Sequence, residues 1–132
     1  MTIDPTGRWR LNRLVADGVA RRLVRGSGVL VATPGSPGTW RLVETLTFDG
    51  YDGRRESLWR ISGDSLDICY ADGAPLVRFD LELARPDAVH LCAPDRYEAR
   101  LRNGFPDRFA LGWRVVGPRK DYAMVTNYQR LG

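Results

Sequence analysis

The sequence predicts an all-β fold, a single antiparallel β-barrel of about eight to ten strands spanning residues 1–132. Three observations predict it. Turn signals recur at short intervals, at Pro34-Gly35-Ser36-Pro37-Gly38, Asp49-Gly50-Tyr51-Asp52-Gly53, Ser62-Gly63-Asp64, Asp72-Gly73, Arg85-Pro86-Asp87, Asn103-Gly104 and Gly117-Pro118. The runs between them, about 6–11 residues each, are rich in Val, Leu, Thr, Trp and Tyr, the spacing of antiparallel sheet. No stretch carries a 3.6-residue apolar stripe, and the one helical turn expected lies near Met1–Pro5.

Period-two alternation then assigns faces, because successive side chains of a strand point to opposite sides. In the first strand Trp9, Leu11 and Arg13 share a face, opposite Arg8, Arg10 and Asn12. The segment Gly26-Ser27-Gly28 lacks the third glycine of a phosphate-binding fingerprint and reads as a bend between strands. After the Pro/Gly loop, Trp40, Leu42, Glu44, Leu46 and Phe48 line up against Arg41, Val43, Thr45 and Thr47. Arg55, Ser57, Trp59 and Ile61 form the next inner row. Further on, Tyr97, Ala99 and Leu101 oppose Arg96, Glu98, Arg100 and Arg102. Phe109, Leu111, Trp113 and Val115 precede a last row of Tyr122, Met124, Thr126, Tyr128 and Arg130.

The inner rows hold aromatics, as a core should, but also Arg13, Glu44, Arg55 and Arg130. An isolated charge in a dry core costs several kcal/mol or more. A barrel with a wet or ligand-filled interior removes that cost. A bulge that inverts one strand's parity would remove it too.

Composition bounds the class. With 132 residues and 43% hydrophobic content the chain suits one domain with a real core. No apolar run approaches a membrane span and no signal peptide is evident at Met1, so a cytoplasmic protein with no membrane partner is expected. Two cysteines are too few for a disulfide framework or a four-cysteine zinc site, and both are expected reduced. Net charge is +4, carried by arginines spread along the chain, with Lys120 the only lysine. Without a basic arm, zinc finger or recognition-helix pattern, the expectation is no nucleic acid partner.

Gly7-Arg8-Trp9 ahead of a strand, with Asp121-Tyr122 and Arg130 near the far end, resembles the lipocalins. That resemblance implies that Arg130 packs across Trp9 and closes the narrow end of the barrel. The guanidinium–indole contact contributes roughly 0.5–2 kcal/mol. The middle of the chain is more specific: His90-x-Cys92-x-x-Asp95-x-Tyr97, Trp113-x-Val115-x-Gly117-Pro118-x-Lys120-Asp121-Tyr122 and a closing Tyr128-x-Arg130. These resemble an uncharacterised lipocalin-like (calycin) domain family of bacteria and fungi, over nearly the whole chain. Where that family carries a second histidine, this chain has Val77, so the resemblance implies no two-histidine chemistry. It brings no established activity.

Candidate chemistry follows from the inner rows. His90 and Cys92 share a strand face but supply only two ligands where zinc needs three or four, so no metal and no cofactor are expected. Their geometry as neighbours also does not suit a nucleophile and its base, and no catalytic residues are assigned. The richer constellation is Arg13, Glu44, Arg55, Tyr122 and Tyr128 with Trp40, Trp59 and Trp113, joined by His90, Cys92 and Tyr97. Arginine's planar fork suits a carboxylate or phosphate, and aromatic walls suit a flat apolar body. The expected function is binding of a small amphipathic or anionic molecule in the barrel, without catalysis. Two alternatives stay open: a cofactor-free lipocalin-fold enzyme acting on a small aromatic acid, and a packed barrel serving as an interaction module. An internal Arg–Glu–Arg ion network would favour the packed barrel. Homodimer formation is likewise left open.

Overall fold

The structure, a computed structural model, describes residues 3–92 and 94–132, with the side chains of Leu91 and Cys92 outside the description. Ten strands run in chain order: β1 (Gly7–Asp17), β2 (Arg22–Pro34), β3 (Thr39–Phe48), β4 (Tyr51–Ser62), β5 (Ser65–Tyr70), β6 (Pro75–Asp80), β7 (Asp87–Cys92), β8 (Asp95–Gly104), β9 (Arg108–Val116) and β10 (Asp121–Arg130). They form one antiparallel sheet in the order β6-β5-β4-β3-β2-β1-β10-β9-β8-β7. The first and last strands pair directly, Trp9 opposite Arg130 and Arg13 opposite Thr126. β6 and β7 meet across a seam that carries no hydrogen-bonded ladder, so the barrel is nearly closed.

The alternation in the sequence becomes inside and outside. Trp9, Leu11 and Arg13 are buried while Arg8, Arg10 and Asn12 are exposed. The same split holds for Leu42, Glu44 and Leu46 in β3 and for Phe109, Leu111, Trp113 and Val115 in β9. Gly26-Ser27-Gly28 corrects the expectation of a bend between strands, because all three lie inside β2. Their role is steric. A side chain at Gly28 would collide with the Thr45 backbone of β3, and one at Gly26 with the Phe48 ring, so the two strands approach more closely than larger residues permit.

In such a meander alternate connections gather at opposite ends. One end is plugged. Trp9 meets Phe105 and Phe109 edge-on at 5.8 and 5.0 Å, and Trp59 meets Phe109 at 5.4 Å, each geometry favoured by the ring quadrupole. The expected helical turn near Met1–Pro5 is not what residues 3–6 form. They run irregularly beneath the barrel with Ile3 and Pro5 buried, and the Trp9 indole N–H donates to the Pro5 carbonyl at 2.9 Å. The Asp4 carboxylate accepts from the Thr6 N–H and hydroxyl, a local turn just ahead of β1. Met1 and Thr2 lie outside the described residues.

Arg130 fastens this plug. Its guanidinium carbon lies 4.2 Å from the Trp9 ring centroid. Its nitrogens donate to the carbonyls of Asp4 (2.9 Å), Thr6 (2.7 Å) and Pro106 (2.7 Å), which joins the N-terminal segment, the β8–β9 loop and β10.

At the opposite, open end the β9–β10 turn is clasped to β8. Lys120 Nζ lies 3.1 Å from both the Asp95 carboxylate and the Tyr97 hydroxyl, and these two contacts hold the ammonium protonated well above its ordinary range. The Asp95 carboxylate occupies the space a side chain at Gly117 would fill. The segments Asp-x-Tyr and Gly-Pro-x-Lys, about twenty residues apart in the chain, are therefore two halves of one fastening.

Replacing Arg130 with Ala is expected to lower stability by about 1–3 kcal/mol, read as a shift of the urea midpoint with little change in slope. An unchanged midpoint would remove Arg130 from the closure.

Candidate functional site

The interior between the two ends is organised by a charged pair. Arg13 and Glu44 are 6% and 8% exposed, which would be costly if either were alone. They are not alone. Arg13 Nη2 contacts Glu44 Oε2 at 2.5 Å, and its Nε donates to the Thr126 hydroxyl at 2.7 Å. Tyr128 donates its hydroxyl to the same Glu44 oxygen at 3.0 Å and accepts from Arg13 at 3.3 Å. Among the described residues no buried side-chain nitrogen or oxygen is left without a partner. Burial, then the neighbouring Glu44 charge, push the Tyr128 hydroxyl far above its ordinary pKa, so it stays a donor.

Register explains how the sequence assembles this. Arg13 sits opposite Thr126 in the β1–β10 pair, and Leu11 sits opposite Tyr128. Glu44 comes from β3, which reaches β1 only across β2. Tyr128 stacks on Phe109 with centroids 4.3 Å apart and planes within 10°, and Phe109 stacks on Phe105. The polar network thus stands on the aromatic plug.

Arg13, Glu44, Arg55, Trp59, Trp113 and Tyr128 all line one internal cavity, with Ser57 beside them. Its volume is ≈ 30 Å³, about the space of one water and far below the several hundred Å³ of a ligand pocket. The expected wet interior is corrected at this depth. Arg13 and Glu44 satisfy each other, and the space between them and the plug is filled.

Arg55 differs from Arg13. It is the register partner of Glu44, yet its side chain is exposed and makes no hydrogen bond or ion pair among the described residues. Arginine 13 and glutamate 44 cancel, which leaves the Arg55 charge facing the open half of the barrel. Tyr122 is close enough to Arg55, Lys120, Tyr97 and Asp95 to be influenced by each, and burial, then Tyr97, raise its pKa.

The other predicted site residues divide by position. Trp40 is a correction: it lies at the plugged end, with its indole N–H bonded to the Thr6 hydroxyl at 2.9 Å, away from the cavity. Its parity points inward, but its place at the start of β3 puts it beyond the plug. His90 is half-buried against the rings of Tyr97 (5.9 Å) and Tyr70 (6.4 Å), beside the β6–β7 seam. The Cys92 side chain lies outside the described residues. No cluster of three metal-ligating side chains occurs among the described residues. Cys69, buried and in the reduced form, has its thiol pKa raised by burial. Thr126, which completes the Arg13 shell, was not singled out by sequence. Its parity with Tyr128 was visible, but only the β1–β10 register puts it opposite Arg13.

Replacing Glu44 with Ala would strand the Arg13 charge. The expected cost is about 3–5 kcal/mol, measured by chemical denaturation. A loss below about 1 kcal/mol would mean that the pair is solvated rather than buried.

Comparison with known structures places this barrel among others of its kind. The S-type phycobiliprotein lyase CpeS from Guillardia theta is similar over 96% of this chain and 88% of its own, at 13% identity and a TM-score of 0.69. A redesigned β-barrel, mFAP1, solved bound to DFHBI, covers 96% and 94% at 15% identity and a TM-score of 0.57. A protein of unknown function from the DUF3598 family of Nostoc punctiforme covers 96% of this chain and 47% of its own, at 14% identity and a TM-score of 0.62. At these identities the likeness concerns the fold. No curated protein sequence matches the chain significantly. A family profile does match, over residues 6–130, and on that match the chain belongs to the DUF6314 family of unknown function.

Proposed function

We propose that this protein binds a small amphipathic anion in the open half of its barrel. The observation that carries the reading is Arg55: an inward arginine whose cross-strand glutamate is already held by Arg13 and Tyr128. A ligand carboxylate would satisfy that surplus charge with a charge-assisted pair. Trp113 lines the same small cavity as Arg55, and Tyr122, near both Arg55 and Tyr97, would supply a flat wall together with the Tyr97 and His90 rings, which touch. The ≈ 30 Å³ below Arg55 limits how deep such a molecule sits, so its body lies toward the open end. The mFAP1 barrel, of similar fold and bound to DFHBI, supports the use of this architecture for a small ligand. No metal or cofactor enters this reading.

A second reading, a filled barrel acting as an interaction module, draws on the same small cavity. One experiment separates them. Tryptophan-fluorescence titration with fatty and aromatic acids should show binding about ten- to a hundredfold tighter than with the matching neutral amides. Arg55→Met should erase that preference and leave the melting temperature unchanged, because Arg55 is exposed and unbonded. Equal affinity for acid and amide, or no binding by either, favours the interaction module.

Metal content gives an independent check. Untagged protein should carry substoichiometric zinc, iron and copper by elemental analysis. A tightly held equivalent of any of them would displace the anion reading.

A further inference from the structure

Strand register builds one inward row of rings at the mouth of the barrel. Tyr97 on β8 and Tyr122 on β10 are both register partners of Val115 on β9, one on each side, and His90 on β7 is the partner of Tyr97. Val115 is buried and the three rings are half-buried, so this is the level at which the interior meets solvent. One inward step deeper, about 7 Å along the strands, stand Ala88, Ala99 and Trp113. Trp113 is the residue that shares the internal cavity with Arg55.

The hydrogen-bonding capacity of the row is one-sided. The Tyr97 oxygen accepts from Lys120 Nζ at 3.1 Å, and the Asp95 carboxylate holds the same ammonium at 3.1 Å. An ammonium has three donors and no acceptor, so it occupies a lone pair of the phenol and leaves the phenol proton unused. That proton points away from the cation, and no acceptor for it occurs among the described residues. The carboxylates beside the row are engaged elsewhere. Asp95 holds Lys120, and Asp17, the register partner of Tyr122, accepts from the Val19 and Ala20 amides.

We infer that the Tyr97 hydroxyl is a specificity-determining donor, which recognises a second acceptor oxygen on the bound anion and selects oxo acids over simple alkyl or aryl-alkyl acids. This rests on the anion reading above and narrows its ligand class. The carboxylate lies deeper, at Arg55, the carbonyl oxygen lies nearer the mouth, at Tyr97, and the apolar body lies against Val115 and the rings. Lys120 acts through Tyr97, as a positioning residue. A hydroxyl whose oxygen accepts from a cation is polarised into a stronger donor. The cation is itself fixed, because Asp95 fills the space beside Gly117 and ties Lys120 to the start of β8. A donor oriented in advance loses less freedom when the ligand arrives. A carbonyl, which only accepts, suits this row better than a hydroxyl, whose own proton would find no free acceptor there.

The test is calorimetric titration of the full chain with benzoylpropionic and benzoylvaleric acids. Their controls are phenylbutyric and phenylhexanoic acids, which lack only the ketone oxygen, and the amide of each acid. The parent should bind at least one benzoyl acid about tenfold more tightly than its control without the ketone. Tyr97→Phe, which keeps the ring and the Asp95–Lys120 pair, should bring the two within about twofold while acids still bind more tightly than amides. Lys120→Met should lower the ketone preference as well, whereas a purely structural lysine would weaken all probes alike. Circular dichroism should show the parent fold in both variants. The inference is overturned by equal binding of ketone and control acids in the parent, or by a ketone preference that survives Tyr97→Phe. It is also overturned if Lys120→Met keeps the preference or weakens every probe equally. Failure of the anion reading looks different: acids and amides then bind alike, while a Tyr97-dependent ketone preference persists in both. Absence of binding by every probe overturns both.

Discussion

The contact between Arg13 and Glu44 is the constraint around which this barrel is arranged. Two opposite charges inside a low-dielectric interior are tolerable only with near-ideal geometry and every remaining donor engaged. Here Thr126 and Tyr128 supply that engagement, so one change in any of the four disturbs the others. An apolar quartet of similar volume would be no less stable on general grounds. What the polar version adds is a strut from β3 to β1 and β10, which fixes register across β2. A one-residue slip of β3 would turn Glu44 to solvent and leave Arg13 buried without its partner.

The network also divides the barrel. Beneath it, Tyr128, Phe109 and Phe105 stack into a column that meets Trp9 and Trp59, and Arg130 seals the base. Above it, inward side chains are half-exposed, and the strands are fastened at the mouth by Lys120, Asp95 and Tyr97. The lower half is a packed core. The sheet is interrupted only at the β6–β7 seam, which carries no hydrogen-bonded ladder.

Charge is distributed by the same geometry. Inside, Arg13 is cancelled by Glu44, while Arg55, exposed, has no such partner among the described residues. Outside, the strands that carry most carboxylates lie on the opposite side of the barrel from the acid-poor ribbon of β1 and β10. On β4–β6 those carboxylates alternate with Arg54, Arg60 and Arg78, and Glu56 and Asp67 are held in ion pairs.

Much of this was legible in the sequence. Turn residues at short intervals and strict alternation determined strands and faces, because a pleated strand allows no other periodicity. Trp9 with Leu11, and Glu44 with Leu42 and Leu46, could be assigned inward without coordinates. Position along the barrel axis could not. Trp40 and Trp113 have the same inward parity, yet one lies at the plugged end with Thr6 and the other lines the cavity with Arg55, a difference set by strand stagger. Nor could alternation show that Gly26 and Gly28 sit within a strand, since their reason is the approach of β3. Pairing between the first and last strands, which puts Thr126 opposite Arg13 and Asn127 opposite Asn12, joins residues more than a hundred positions apart. Local propensity determines which way a side chain faces. Only closure of the sheet decides which side chains meet.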